Sequence, residues 1–257
     1  PDFMLFDYYI GLDTVPGSDR TVKLPYLRYH LQEVHGGKEG LDAHALLASK
    51  TGFCNFIYAN RKSHPNRDAM FYKLSAFRFV NSLGPHLNNT PGDGHRAEDW
   101  YASSIRMKKP YKFSIAFENA WYPGYTSEKI VTSMLAGTIP IYWGNPDISR
   151  EFNSASFINC HDFPTLDDAA AYVKKVDEDD NLWCEIMSRP WKTPEQEARF
   201  LEETERETAK LYKIFDQSPE EARRKGDGTW VSYYQRFLKR GHRMQLAWRR
   251  LKNRLRR

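Results

Sequence analysis

Residues 111–119 read Tyr-Lys-Phe-Ser-Ile-Ala-Phe-Glu-Asn, an apolar run that ends in a carboxylate and an amide. Such a run, rich in aromatic and branched side chains, is typical of a buried strand in a parallel sheet. A short loop follows, and a helix is predicted over residues 127–136, capped by Thr126 or Ser127 and ended by Gly137. Strand, loop and helix in this order indicate one half of a βαβ unit.

The alternation of strands and helices continues on both sides of this segment. Strands are predicted over residues 53–58, 139–143 and 156–160, and helices over residues 66–80 and from Thr165 onward. Such alternation produces right-handed crossovers and therefore a doubly wound parallel sheet with helices on both faces. Sheets of this kind bind ligands outside the carboxyl ends of their strands. The sequence therefore predicts an α/β fold with its site at that edge.

The helix start after Asn119 has the side chains of a nucleotide diphosphate site. Free N–H groups at a helix N-terminus attract an anion, and Lys129 in the first turn adds a full positive charge. Glu128 can accept hydrogen bonds from a ribose diol, and Asn119 and Tyr125 can supply directed polar contacts. The same pattern also fits an ordinary capped helix whose charged residues lie in solvent. The residues by themselves leave both interpretations open.

The net charge of +5 comes from the C-terminal segment. No acidic residue follows Asp227, and ten Lys or Arg residues lie between Arg236 and Arg257. Without those ten, 28 basic and 33 acidic residues remain, a net charge of −5, which argues against a nucleic-acid-binding body. Three scattered cysteines without metal-site spacing indicate reduced thiols in a cytosolic compartment. No apolar stretch approaches the roughly 20 residues that span a bilayer.

Taken together, these motifs resemble the signature of family 10 fucosyltransferases, and they look most like the bacterial α-1,3/4 members. The resemblance rests on the run F-x-x-x-F-E-N at residues 113–119, on Y-x-x-E-K at residues 125–129 and on Ala-Gly-Thr-Ile-Pro-Ile-Tyr-Trp-Gly at residues 136–144. Weaker similarity extends over residues 1–163. The resemblance implies a two-domain GT-B glycosyltransferase whose C-terminal domain binds GDP-fucose.

The resemblance also implies roles for individual side chains. Arg67, in the N-R-x-x-x-F-Y run, corresponds to the arginine that contacts the phosphates of the donor. Asn119 and Tyr125 correspond to residues that line the donor pocket. Glu128 matches the carboxylate that holds the ribose, and Lys129 matches the lysine that reaches the pyrophosphate. We therefore predict these five as substrate-binding residues.

The resemblance divides the chain into three parts. Residues 1–50 are predicted to be the end of the N-terminal acceptor domain, residues 51–215 the GDP-fucose-binding Rossmann-like domain, and residues 216–257 a basic amphipathic tail. The general base of the family is a glutamate in the first domain, and we expect it upstream of Pro1. No catalytic residue is therefore assigned within the chain, and the fragment is expected to be catalytically impaired.

The predicted reaction is the inverting transfer of fucose from GDP-fucose to a GlcNAc-containing glycan, in α-1,3 or α-1,4 linkage, of the lipopolysaccharide O-chain type. No metal or other cofactor is expected, because the acidic run Asp177-Glu178-Asp179 is predicted to be a solvated helical face. Three alternatives stay open: a GT-B transferase for another sugar nucleotide, a non-catalytic nucleotide- or glycan-binding module, and a nucleic-acid binder through the tail.

The tail carries a stripe of apolar side chains at helical spacing: Trp230, Tyr234, Phe237, Met244, Trp248, Leu251 and Leu255, with Gly241 in the gap. Lys and Arg occupy much of the remaining surface. A basic amphipathic helix of this kind suits an anionic membrane surface, so we predict a cytoplasmic protein held peripherally at the inner face of a bacterial membrane. A packed terminal helix and a short coiled coil are the alternatives, and the oligomeric state stays open.

Overall fold

The computed structural model describes residues 3, 5–12, 17–24, 40–91, 99–226, 232–234, 236–242 and 244. The chain forms two compact units, of which one comprises Pro1–Lys23 and Arg206–Arg257 and the other Leu24–Glu205. The predicted domains divide instead at residues 50 and 215. The structure therefore groups both the start of the chain and its C-terminal helices differently from the prediction.

The smaller unit contains the parallel strands β1 (Tyr9–Gly11) and β2 (Thr21–Lys23). The backbone N–H of Lys23 donates a hydrogen bond of 3.0 Å to Oε2 of Glu207, a carboxylate that is almost fully buried. Arg206 and Lys210 also donate to Glu207. The bond from Lys23 to Glu207 joins the first 23 residues to the chain beyond residue 205.

The larger unit is built on five parallel strands. Their spatial order is β4 (Val80–Ser82), β3 (Gly52–Phe56), β5 (Tyr111–Phe117), β6 (Ile139–Trp143) and β7 (Ile158–Asn159). From β3 the chain first moves outward to β4 and then returns to β5 on the other side. The strand order thus reverses between β3 and β5, and such a switch point opens a crevice at the carboxyl ends of the two strands.

Helices cover both faces of this sheet, as the alternating pattern predicted. Along β5 and β6 the buried side chains alternate between two separate hydrophobic clusters: Ile115 and Ile141 lie in one, Ala116 and Tyr142 in the other. Up to residue 226, the α-helices of the described residues are α1 (Ala43–Ala48), α2 (Asn66–Ser75), α3 (Trp100–Lys108), α4 (Glu128–Leu135), α5 (Leu166–Glu178), α6 (Asp180–Ser188), α7 (Pro194–Phe215) and α8 (Pro219–Ala222).

Helix α1 was predicted to lie in the first domain, but it packs in the larger unit. Ala43 is buried in the cluster that contains Phe53 and Phe113, and Leu46 and Leu47 pack against the same cluster. Burial of these apolar side chains fixes α1 to the sheet.

The region 66–80 differs from its prediction as a single helix. Asn66, the expected cap, is the first helical residue, and Pro65 occupies the N-cap position. The helix ends at Ser75, and Val80 begins the edge strand β4. A strand of three residues is too short to show an alternating pattern, so helical propensity dominated the prediction.

The prediction that the acidic run at residues 177–179 is a solvated face is wrong for Asp177, whereas Glu178 and Asp179 are exposed. The Asp177 side chain has no exposed surface, and its carboxylate lies 2.9 Å from Arg78 Nη1 and 3.1 Å from Lys112 Nζ. Asp179 caps α6 by accepting hydrogen bonds from two backbone N–H groups. Two nearby cations explain why Asp177 is not in solvent.

The described part of the C-terminal tail is helical at residues 232–234 and 236–242. Tyr234, Phe237 and Met244 of the predicted apolar stripe are exposed, by 48%, 60% and 65%. Trp230, Trp248, Leu251 and Leu255 lie outside the described residues. Among the described helices, none combines the length and apolar character that a membrane crossing requires.

Candidate functional site

The predicted site residues lie on the loops and helix starts that follow β3 and β5. Arg67 is in the first turn of α2, while Glu128 and Lys129 open α4. Asn119 and Tyr125 flank the loop between β5 and α4. Because β3 and β5 are parallel neighbours, these elements meet at one edge of the sheet, at the point where the strand order reverses.

Arg67 is the most buried cation of the site. Its side chain has no exposed surface, and its guanidinium lies 4.3 Å from the centre of the Tyr58 ring. Nη1 donates a hydrogen bond of 3.2 Å to Oδ1 of Asn119, and Nη2 donates to the carbonyl of Asn60. Tyr58 in turn accepts a bond of 2.7 Å from the Phe117 N–H, which ties the arginine pocket to the end of β5.

One nitrogen of the guanidinium makes no hydrogen bond. Nε of Arg67 has no partner at hydrogen-bonding distance among the described residues, and the nearest carboxylate oxygen, on Asp68, is 3.6 Å away. A buried donor in this state is rare in folded proteins and marks a place where an acceptor from a ligand can bind. Because the side chain has no exposed surface, its contact with a phosphate requires the surrounding side chains to move.

Asn119 lies beside both Arg67 and Tyr125. Its Oδ1 accepts the bond from the guanidinium, and its side chain acts to lower the pKa of Tyr125. Burial raises the pKa of Tyr125, the positive charge of Lys129 acts against this rise, and Glu118 and Glu128 add to it. Tyr125 is thus within electrostatic range of both charged residues that open α4.

Glu118 is a functional residue that the sequence prediction missed. It is fully buried, and its carboxylate accepts hydrogen bonds from the Ser127 N–H at 2.7 Å, the Ser127 hydroxyl at 2.7 Å and Lys129 Nζ at 3.0 Å. The Ser127 hydroxyl therefore binds Glu118 and makes no side-chain cap on α4, contrary to the prediction. The protein's own carboxylate already neutralises part of the positive helix end.

Lys129 is held between two carboxylates. Burial disfavours its charge, but Glu118 and Glu128 outweigh burial, so the pKa of Lys129 lies above its usual value. Its Nζ is 3.9 Å from Glu128 Oε1, and the lysine side chain keeps 17% of its surface exposed. Lys129 is therefore a fully charged, fixed and accessible ammonium at the edge of the sheet.

Gly144 confines the Glu118 side chain. Its backbone φ of +154° is one that residues other than glycine rarely adopt, and a Cβ atom there would lie 2.5 Å from Cβ of Glu118. The Gly144 N–H donates to Nε2 of His161 at 3.1 Å, and the His161 ring stacks on Trp143. Burial lowers the pKa of His161, with partial opposition from Asp162, so the ring is neutral and able to accept this bond.

Asn145 fixes the loop that carries Tyr125. This side chain is fully buried, and its Oδ1 accepts hydrogen bonds of 2.9 Å from the Gly124 N–H and 3.0 Å from the Asp147 N–H. Its Nδ2 donates to the hydroxyl of Thr126 at 3.0 Å. Asn145 was not among the predicted site residues. Its structural role depends on contacts with a distant loop, which no local pattern reveals.

The structure brings all five predicted residues to one edge of the sheet. Arg67 is hydrogen-bonded to Asn119, and Asn119, Glu128 and Lys129 all lie close enough to Tyr125 to act on its pKa. The arrangement can bind an anion with two cations and can accept hydrogen bonds at the edge with Glu128. Across the described residues, no group of three His, Cys, Asp or Glu side chains is arranged to hold a metal ion.

Comparisons with known proteins concern the family and the fold of the chain. The family described as glycosyltransferase family 10 (fucosyltransferase), C-terminal part, matches residues 47–224. The chain is 29% identical over 234 residues to the α-(1,3)-fucosyltransferase FucT of Helicobacter pylori, an alignment that covers 79% of this chain and 47% of that enzyme. It is 26% identical over 223 residues to an α-(1,4)-fucosyltransferase of Arabidopsis thaliana, covering 72% of this chain and 54% of that one.

A solved structure of an α1,3-fucosyltransferase with GDP-fucose is similar to 88% of this chain, with a TM-score of 0.71 and 26% sequence identity, and the match covers 74% of that chain. The α/β fold of the GT-B type, predicted from the sequence, is thereby confirmed. The chain spans about half the length of the two curated relatives. With a family match that extends over residues 47–224, the chain belongs to glycosyltransferase family 10, the fucosyltransferases.

Proposed function

We propose that the chain binds GDP-fucose at the carboxyl edge of β3 and β5 and serves in the transfer of fucose to a glycan. The observation that carries the proposal is that Arg67 and Lys129 both lie at that edge, with Asn119 bonded to Arg67 and Tyr125 within electrostatic range of Lys129. Membership of the fucosyltransferase family supports the choice of donor, as does the likeness to an α1,3-fucosyltransferase solved with GDP-fucose.

The donor carries two negative charges on its diphosphate, and the site offers two fixed cations for them. We assign Lys129 to the pyrophosphate, because its ammonium is charged and partly accessible. Arg67 is assigned to the phosphates through its unpaired Nε, and Glu128 to the ribose hydroxyls. Asn119 and Tyr125 are assigned to the pocket wall, where each can exchange one internal hydrogen bond for one to the donor.

The proposed chemistry is a single displacement that inverts the anomeric carbon of fucose. A hydroxyl of the acceptor forms a bond to that carbon, the bond from the carbon to the diphosphate oxygen breaks, and GDP leaves with the electron pair. Arg67 and Lys129 stabilise the negative charge that develops on the leaving diphosphate, which is the role that metal ions have in other sugar transferases. We therefore expect donor binding without a metal.

The acceptor in this proposal is a GlcNAc-containing glycan of the lipopolysaccharide O-chain type, fucosylated in α-1,3 or α-1,4 linkage. The relatives support either linkage, since one is named an α-(1,3)- and another an α-(1,4)-fucosyltransferase. The proton of the acceptor hydroxyl has to pass to a general base, a role for which we propose the glutamate expected upstream of Pro1.

Calorimetric titration of the chain with sugar nucleotides tests the donor assignment. GDP-fucose is expected to bind more tightly than GDP-mannose and UDP-galactose, and to bind equally well with and without EDTA. Equal affinity for all three nucleotides would favour a GT-B transferase with another donor. Binding of duplex DNA without affinity for any guanine nucleotide would overturn the proposal.

We further propose that the tail attaches the protein peripherally to the cytoplasmic face of an anionic membrane. Three described apolar side chains of its stripe support this proposal, because Tyr234, Phe237 and Met244 are each exposed on a helical segment. Co-sedimentation with phosphatidylglycerol vesicles is expected to fall as salt rises and to be lost in neutral phosphatidylcholine vesicles. Self-association that survives both detergent and high salt would instead identify the stripe as a dimer contact.

A further inference from the structure

Lys108 is a buried lysine next to the donor site that has no part in the proposed chemistry. It is the last residue of α3 and only 5% exposed. Its Nζ lies 2.6 Å from the Thr132 hydroxyl, 3.2 Å from the Ser133 hydroxyl and 3.4 Å from the Lys129 carbonyl. All three partners belong to α4, so Lys108 attaches α3 to the helix that carries the charged residues of the site.

The three partners all act as acceptors. Thr132 already donates its hydroxyl hydrogen to the carbonyl of Glu128 at 2.9 Å, and Ser133 donates to the carbonyl of Lys129 at 2.7 Å. Both hydroxyls therefore present only lone pairs to Lys108, and a carbonyl has nothing else to present. An ammonium group has three N–H donors and satisfies all three acceptors. A neutral amine has two donors, so its lone pair would face one of the acceptors.

We propose that Lys108 is a positioning residue that holds the first turn of α4 through its ammonium group, and that it takes up a proton when this turn binds a nucleotide diphosphate. The inference rests on the proposed function, because the diphosphate is the ligand assigned to Lys129. The hydrogen bonds favour the charged form of Lys108, whereas burial of the side chain disfavours it. That opposition makes its protonation sensitive to a new charge nearby.

Burial has the largest effect on Lys108 and lowers its pKa to about 7. The charges that act on Lys108 come from the start of α4 and from the end of β5: Glu128 and Glu118 favour its protonation, and Lys129 opposes it. On its own helix, Arg106 is exposed and pairs with Asp99. A diphosphate bound at Lys129 adds negative charge beside the cation that opposes protonation of Lys108.

Linkage fixes the sign of the effect. A bound diphosphate raises the pKa of Lys108, so the complex binds more protons than the free chain at neutral pH. Donor affinity therefore increases as pH falls through about 7. A rise of one unit in this pKa corresponds to about tenfold tighter binding well below pH 7 than well above it. A lysine that is half protonated when free can take up about 0.5 proton at pH 7.

Calorimetric titration near neutral pH in two buffers with different protonation enthalpies measures this uptake. GDP-fucose is the suitable ligand, because its diphosphate is esterified at both ends and lacks the terminal phosphate group that ionises near pH 6 in GDP. We expect uptake of about 0.5 proton in the wild-type chain and loss of most of it in Lys108→Met, together with weaker binding. The control is Lys109→Met, a neighbouring exposed lysine, which should match the wild type.

Uptake in Lys108→Met equal to that of the wild type would overturn the inference. If this variant fails to fold, Thr132→Val removes one acceptor and should move the pH of maximal uptake downward, and an unchanged profile would also overturn it. Failure of the wild-type chain to bind GDP-fucose at all would contradict the proposed function instead. Binding without uptake that depends on Lys108 would contradict only the role of this lysine.

Discussion

Each edge of the central sheet holds a fully buried carboxylate paired with a lysine, yet the surroundings of the two pairs differ. At the carboxyl edge, Glu118 binds Lys129 and both polar groups of Ser127. At the amino edge, Asp177 binds Lys112 and Arg78. The first carboxylate positions a loop, a helix start and a cation, whereas the second joins the end of α5 to the starts of two strands.

The difference separates a structural ion pair from one that prepares a site. Arg78 lies half exposed in solvent, so its pair with Asp177 reaches the protein surface. Both Asp177 oxygens are near cations but have no hydrogen-bond partner among the described residues, so the bonding capacity left over at this edge is that of an acceptor. Near Glu118 it is that of a donor, because Nε of the buried Arg67 has no hydrogen-bond partner among the described residues. Burial and ion pairing are common to both edges, so neither identifies the site. What identifies a site for an anion is an unpaired donor next to fixed positive charge.

The largest expected effect comes from Arg67→Met. If the buried charge of Arg67 contacts the diphosphate as proposed, its removal should weaken GDP-fucose binding at least about 30-fold. Arg78→Met is the matched control, since Arg78 follows the same helix α2 but belongs to the amino edge, and it should leave donor affinity unchanged. Titration calorimetry at a temperature where both variants are folded measures the two affinities. Equal losses in the two variants would remove the distinction between the edges.

A second pair of variants compares the two carboxylates directly. Glu118→Gln and Asp177→Asn each replace a buried carboxylate by its isosteric amide and remove the nearer of two carboxylates from a lysine. We expect both to lower the free energy of unfolding, by about 1–3 kcal/mol, because a buried ion pair loses one of its charges in each. Urea unfolding measures that loss.

Donor affinity should respond to only one member of this pair. Glu118→Gln releases Lys129 from its fixed position and should weaken GDP-fucose binding about tenfold, a loss of roughly 1.4 kcal/mol. Asp177→Asn should bind the donor like the wild type. If Asp177→Asn weakens binding as much as Glu118→Gln, global loosening of the sheet rather than local positioning explains the effect.

The sequence predicted those features of the site that depend on neighbouring residues in the chain. The strand 111–117 and the helix start at Glu128 were predicted within one residue, because apolar run length and capping residues are local signals. The five substrate-binding residues came from the family resemblance, and the structure brings them to one edge. Their roles toward a donor stay predictions.

What the sequence did not reveal depends on distant partners. Glu118 is a carboxylate at a strand end, which by itself is typical of a solvated residue, and only the fold places Ser127 and Lys129 around it. Asp177 was predicted to be solvated for the same reason. Lys108 lies at the basic C-terminal end of α3, and a lysine at such a position is typically exposed. Only the packing of α3 against α4 buries it.

Two glycines offer a smaller contrast between the edges. At Gly144 an added Cβ would meet the Glu118 side chain at 2.5 Å, whereas at Gly137 it would meet Leu46 at 3.2 Å, and both positions have positive φ. Gly144→Ala and Gly137→Ala should each destabilise the fold by about 1 kcal/mol or more through backbone strain. Only Gly144→Ala should also weaken GDP-fucose binding, by a few-fold, because it displaces Glu118. Calorimetry with unchanged affinity for Gly144→Ala would contradict the positioning role of Glu118.

The last comparison concerns two buried lysines and the pH dependence of stability. Burial lowers the pKa of Lys50, near the amino edge, to about 8, and that of Lys108 to about 7. In the unfolded chain both take the usual lysine pKa of about 10.4. The unfolded state therefore binds more protons between these values, so stability rises with pH in that window and the proton-linked penalty is greatest below it.

Replacing either lysine by methionine should flatten this rise. Between about pH 7.5 and 9.5 the difference from wild type should reach about 2 kcal/mol for Lys108→Met, and about 1 kcal/mol or less for Lys50→Met, whose partial exposure to solvent screens its charge. Urea unfolding at both pH values measures the difference, and comparison with the wild type cancels other titrating groups. Donor binding should change only in Lys108→Met, because Lys50 binds the carbonyls of Lys109 and Ala136, away from Lys129. A change of donor affinity in Lys50→Met would mean that a buried lysine at the amino edge acts on the donor site at long range. The two edges would then not be electrostatically independent.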